Sequence, residues 1–201
     1  MKRFCLAGCA VLGLVVIVLL CIPVFMRNTL PPGHYSCQSN LKQIALGIFM
    51  YAQDYDEKLP PAIFQKKTVG WANGIQPYLK STRIFQCPEQ WHPETPAPDE
   101  PGFTDYWMNS NIAGLENKKI TNSEQIIILG DGDGDSPEST ASYAINQLPA
   151  SWLQSSDSPA KRHLGGANYA FADGHVKLLQ PEQVTQEKPA KNKDVYTFRI
   201  K

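Results

Sequence analysis

The hydrophobic pattern divides this chain before any motif does. Phe4 to Met26 carries no charged residue and is overwhelmingly apolar. At ~1.5 Å rise per residue it spans about 34 Å, enough for a hydrocarbon core of ~30 Å. No small-x-small cleavage site follows it near Arg27, so the pattern predicts an uncleaved signal anchor over residues 1–27. Leu6-Ala-Gly-Cys9 looks like a lipoprotein box but precedes most of the apolar run, where such a box should follow it. Lys2 and Arg3 lie before the run and only Arg27 lies close behind it. That bias predicts a single pass of the cytoplasmic membrane, with the N-terminus inside and the C-terminal domain exported. Residues 28–35, with Pro31-Pro32-Gly33, read as a linker, the membrane helix ending near Thr29.

Beyond the linker the period changes to that of an amphipathic helix, expected over residues 36–56. Leu41, Ile44, Ala45, Ile48, Ala52 and Tyr55 recur at steps of three and four, while Lys42, Gln43, Gln53 and Asp54 fall on the other side. Ser36 is a candidate N-cap, and Leu59-Pro60-Pro61 enforces the stop. A short helix is expected over 74–81, extended chain over 83–88, a proline-rich surface loop over 93–101 and a strand over 105–109. The apolar, β-branched run over 124–130 predicts a buried strand. An acidic turn-rich loop follows over 131–140, then a short element over 142–148. Asp173-Gly174 sits between two alternating runs and predicts a hairpin with a two-residue type I′ turn. That register sets Ala172 opposite His175 and Phe171 opposite Val176. Residues 195–200 alternate and predict a last edge strand. The sum is an α+β domain over 36–201, one long amphipathic helix packed on an antiparallel β-sheet.

Composition narrows the function. The 201 residues carry zero net charge with no charge block, so nothing forecasts nucleic-acid binding. Sixteen prolines and fourteen glycines predict a loop-rich domain. Cys5, Cys9 and Cys21 lie in or beside the membrane segment. Cys37 and Cys87 are the only pair in the exported part, and an even pair in an oxidising compartment predicts a disulfide. Closing that loop is worth about 4 kcal/mol on the chain-entropy model.

Three motifs carry a family resemblance. His163 is followed after nine residues by Asp173-Gly174, Cys37-Gln-Ser-Asn-Leu-Lys-Gln43 continues through Tyr51-Ala-Gln-Asp-Tyr55 to Pro60-Pro61, and Cys87-Pro88 stands between them. Asp105-Tyr-Trp-Met-Asn109 is a further familiar element. Together they resemble the bacterial prepilin-type processing-associated H-x9-DG proteins, a group overlapping DUF1559. The resemblance implies a pseudopilin-like fold in the membrane, with pilin-like or type II secretion proteins as partners. One departure matters: the chain has no Phe-Thr-Leu-Ile-Glu-type start, and no acidic residue precedes Asp54. Prepilin cleavage and ordinary filament entry are therefore not expected.

The polar residues offer several chemistries. His163, Asp173 and His175 are ligand types suited to zinc, but Asp173 is also what the turn requires, and His163 is read first as a structural residue that holds the loop. Asp131, Asp133 and Asp135, with Glu138 nearby, suit calcium. A true EF-hand is excluded, because Ser136 stands where that loop needs glycine and Ser142 where it needs glutamate. No G-x-S-x-G elbow appears and neither exported cysteine has a protease-like setting, so no enzyme is expected. Trp71, Trp91, Trp107 and Trp152 are expected in the core or a groove. Exposed together they would form an aromatic platform for a calcium-dependent peptide- or glycan-binding module, the alternative to a structural role.

Overall fold

The computed structural model describes residues 32–64, 69–185 and 195–200. The expected signal anchor and residues 28–31 of the linker lie outside the described residues. Among the described residues, no helix is long and apolar enough to cross a membrane.

Helix α1 spans Pro32–Asp54 and begins four residues before the expected Ser36. Proline fits there because the first-turn N–H groups of a helix have no intrahelical partner to lose. Leu41, Ile44, Ala45, Ile48 and Ala52 are buried as the spacing predicts. Tyr55 is not. The helix stops at Asp54, so Tyr55 leaves the helical period, lies exposed and stacks on buried Tyr51 at 4.2 Å. Asp56 and Glu57 both take positive φ, and the Glu57 amide closes the end by donating to the Ala52 carbonyl at 2.8 Å.

The middle of the chain is more coiled than its pattern suggests. Helix α2, Trp71–Ile75, continues into a 3-10 turn over Gln76–Tyr78, so the short helix comes earlier than 74–81. The expected extended segment begins instead as a 3-10 turn, Thr82–Phe85, capped by the Ser81 hydroxyl, which accepts from the Arg83 amide. The main sheet holds β1 (Tyr106–Asn109), β2 (Ile127–Asp131), β3 (Ala144–Ile145), β4 (Ala167–Phe171) and β5 (Val176–Leu179). Their order is β3-β1-β2-β4-β5, antiparallel throughout except for the parallel β1–β3 pair. A short helix α3, Ala150–Gln154, links β3 toward β4. The expected last edge strand reduces to β7, Tyr196–Thr197, which pairs in parallel with β6, Val184–Thr185, in a separate two-stranded sheet.

Both faces of the main sheet are buried. One packs on α1, joining Leu41, Ile44, Ile48 and Tyr51 to Tyr106, Met108, Ile128, Ala170 and Ala172. The other holds Trp107, Ile127, Tyr143, Trp152, Tyr169, Phe171 and Phe198. This explains why β2 and β4 are buried at every position, the polar Asp131 and Asn168 included.

The turn after β4 departs from the two-residue form expected at Asp173-Gly174, and a turn of that form lies before β4 instead. After β4 the loop has three residues: the Gly174 amide donates to the Phe171 carbonyl, and the Phe171 amide to the His175 carbonyl. Gly174 alone has positive φ, at 84°, as in a type I turn closed by a glycine bulge. The register therefore slips by one from that expected. Ala170 pairs with Val176 and Tyr169 with Lys177. Phe171 stacks on His175 at 4.2 Å instead of facing Val176. The turn with positive φ at both central residues lies before β4, at Leu164 (55°) and Gly165 (81°), closed by His163 and Gly166.

Candidate functional site

The motifs named above converge on α1 at two points. At the first, Cys37 in α1 forms a disulfide with Cys87, their Cα atoms 5.3 Å apart and both residues fully buried. Cys87 is delivered there by the turn Thr82–Phe85, and Asn40 one turn further along α1 donates to the Gln86 carbonyl at 3.0 Å. His163 enters beside the disulfide, its backbone held by the Leu164-Gly165 turn. Its Nε2 stands 3.8 Å from Cys87 Sγ and 3.3 Å from Asp131 Oδ2, and its Nδ1 is 2.9 Å from Glu89 Oε2. At the second point, Lys42 donates to the carbonyl of Gly174, and a Cβ added to Gly174 would meet Phe49 at 3.2 Å. The H-x9-DG element thus fastens to the helix at both ends.

Around His163 lies a buried polar network that the motifs only partly announce. Asp131 ends β2 facing inward, where its Oδ2 accepts from the Asn168 amide at 2.6 Å. Asp105 is also buried, and its Oδ2 accepts from the Cys87 amide at 2.5 Å and pairs with His92 Nε2 at 2.6 Å. Burial lifts the Asp105 carboxyl above its ordinary pKa, against the opposing pull of the Cys87 amide, His92 and Arg162. Burial also works against a charge on His163, but hydrogen bonding and attraction from Asp131, with Glu89 behind it, hold that imidazole above its ordinary value. Arg162 donates to the Gly132 carbonyl at 2.8 Å. The second carboxylate oxygens of Asp105 and Asp131 are buried with no hydrogen-bond partner among the described residues.

The three loop aspartates do not act together. Asp131 belongs to the interior, Asp133 accepts from the Asp135 amide at 3.2 Å, and Asp135 is exposed. The glycines between them serve close approach: a Cβ at Gly134 would lie 1.8 Å from Asp105 Oδ1, and one at Gly132 would lie 2.6 Å from the Tyr143 ring. Neither are His163, Asp173 and His175 one group. Asp173 Oδ1 accepts from the His175 amide at 3.0 Å and meets His175 Nδ1 at 2.6 Å on the exposed turn, while His163 is committed to the disulfide region. Among the described residues, the group of metal-ligating side chains drawn together is Cys37, Cys87 and His163, their donor atoms within 4.8 Å of one another. Of the four tryptophans, Trp71, Trp107 and Trp152 are buried and only Trp91 is exposed, at 85%. That removes the shared aromatic platform.

Residues 34–125 match the sequence model of a family described as a protein of unknown function, DUF1559. Over these residues the chain is similar to that family. The match takes in α1, the Cys37-to-Gln43 motif, Cys87 and β1, and ends before the H-x9-DG element. No curated protein and no solved structure matches the chain. Asp105, which opens the Asp-Tyr-Trp-Met-Asn element, and Glu89, two residues beyond Cys87, lie inside the DUF1559 segment. Their roles were missed because each depends on a contact with a distant residue.

Proposed function

We propose that this chain is a membrane-anchored, extracytoplasmic, pseudopilin-like protein that works by association with other subunits rather than by catalysis. One observation carries the reading: α1 presents apolar groups away from its own core. Leu46 is 58% exposed and Met50 40%, one turn apart, on a helix whose other side is fully committed to the sheet. The apolar run over 4–26 that precedes this helix would hold it next to the bilayer, where pilin-like subunits associate through their N-terminal helices. The Cys37–Cys87 disulfide supports an oxidising compartment. The acidic loop and the single exposed tryptophan give the calcium-dependent module no comparable support.

A photo-cross-linker at Leu46 in intact membranes tests the reading. The expected result is an adduct identified by mass spectrometry as a pilin-like or secretion-system subunit, or a second copy of this chain. Recovery of the chain in the soluble fraction, or uncross-linked in the membrane at every exposed α1 position, overturns it.

A further inference from the structure

We propose that the Cys37–Cys87 disulfide is the oxidised form of a zinc site, with Cys37 Sγ, Cys87 Sγ, His163 Nε2 and the Asp131 carboxylate as its four ligands. Zinc favours tetrahedral sets of sulfur, imidazole nitrogen and carboxylate oxygen, at about 2.3 Å to sulfur and 2.0–2.2 Å to nitrogen and oxygen. A tetrahedron with those bonds has a sulfur–nitrogen edge of about 3.6 Å and a nitrogen–oxygen edge of about 3.3 Å. The corresponding separations are 3.8 Å for Cys87 Sγ to His163 Nε2 and 3.3 Å for His163 Nε2 to Asp131 Oδ2. Two of the six edges thus stand near metal-binding length, and the two sulfurs and the imidazole gather within 4.8 Å of one another; the Asp131 carboxylate stands outside that group and closes on the metal when reduction opens the sulfur pair.

The surroundings fit as well. A zinc-bound imidazole usually turns its other ring nitrogen to a carboxylate, which fixes the tautomer and the ring. Glu89 Oε2 lies 2.9 Å from His163 Nδ1, the carboxylate placed to take up that role when metal binds. Asp131 has a buried oxygen without a partner among the described residues, and the Asn168 amide already orients its carboxylate. Two thiolates, one carboxylate and Zn2+ sum to one negative charge, which the Arg162 guanidinium nearby offsets. Cys87 also borders a surface cavity of about 230 Å³ that Gln90 and His92 line.

The conversion balances with a dithiol as reductant. Two electrons and two protons pass from the dithiol, which leaves as its own disulfide, and the Cys37–Cys87 bond opens to two thiols. Zn2+ then displaces both thiol protons, and the neutral imidazole keeps its one proton on Nδ1, facing Glu89. Calcium and magnesium, which take oxygen ligands, would not follow.

Cobalt(II) titration of the full-length chain in detergent, without oxygen, before and after phosphine reduction, tests this. The expected result is one cobalt per reduced chain, with thiolate charge-transfer and tetrahedral absorption bands that zinc displaces, and none for the oxidised chain. His163→Ala should abolish those bands. Glu89→Gln, at a partly exposed position, should weaken binding about tenfold while the oxidised variant keeps the native circular dichroism. The proposal is overturned if the reduced chain binds no more cobalt than the oxidised chain, including by unfolding. It is equally overturned if His163→Ala leaves the spectrum unchanged or Glu89→Gln binds as tightly as the parent.

Discussion

The Lys42 ammonium donates to the carbonyl oxygen of Gly174, joining the helix motif to the hairpin motif across 132 residues of sequence. With Phe49 packed against the same glycine, this contact seats the turn on α1. Lys42→Met keeps most of the apolar stem and removes the donor. It should lower stability by about 1 kcal/mol, the net worth of such a hydrogen bond. Gly174→Ala should cost more, about 1–2 kcal/mol, because an L-residue resists φ of 84° and its Cβ presses on Phe49. Denaturant melts of both variants check the ranking; a Gly174→Ala protein as stable as the parent would refute the seating.

Gly134 separates a packing role from a calcium role for the acidic loop. Its missing Cβ is what lets the loop backbone lie against Asp105 Oδ1. Gly134→Ala should destabilise the fold by about 1–3 kcal/mol through overpacking. Asp133→Asn and Asp135→Asn, at half-buried and exposed positions, should change stability by less than about 0.5 kcal/mol. Thermal melts with and without calcium give the readout. A calcium-dependent rise in melting temperature that Asp133→Asn abolishes would restore the cation reading.

Leu164 pays for its turn. It is a 52% exposed leucine at φ 55°, a conformation that L side chains adopt at a cost. Leu164→Asn places a residue tolerant of that conformation before Gly165 and should raise stability by about 0.5–1 kcal/mol. A lower melting temperature would mean that the leucine makes a contact worth more than the strain it bears.

These turns also mark where sequence reasoning reaches its end. The three- and four-residue spacing of Leu41, Ile44, Ile48 and Ala52 specifies a helical face because burial of that stripe is the only stable outcome. Cys37 and Cys87 stand out by elimination. Asp-Gly, by contrast, suits both a two-residue turn and a three-residue turn with a glycine bulge, and the choice falls to Lys42 and Phe49 on α1. Likewise the alternating aspartates read as one cation loop. Yet β2, Ile127-Ile-Leu-Gly-Asp131, is a buried strand that carries Asp131 inward before the loop begins. The inward turn of that strand end also brings Asp131 to His163, a meeting that no local spacing encodes.

Tyr143 supplies a test of the second core under alkaline conditions. Its ring is buried in the cluster that also holds Trp107 and Trp152, and its hydroxyl accepts from the Asp133 amide at 3.3 Å. Burial, opposed by that amide and reinforced by the Asp133 and Glu138 charges, pushes the phenol up to about 12 from an ordinary value of 10.0. Because the folded value lies above the unfolded one, the folded state holds the proton more tightly between them. The associated stability is complete below pH ~10 and is lost as pH rises through ~12, a decline on the order of 2 kcal/mol. Tyr143→Phe has no proton to lose there. Its stability should start about 1 kcal/mol lower at neutral pH, for want of the hydrogen bond, and fall less steeply above pH ~10. Urea melts of both proteins from pH ~8 to ~11.5 check the slopes. Parallel curves would mean that the Tyr143 hydroxyl is solvated rather than held in the second core.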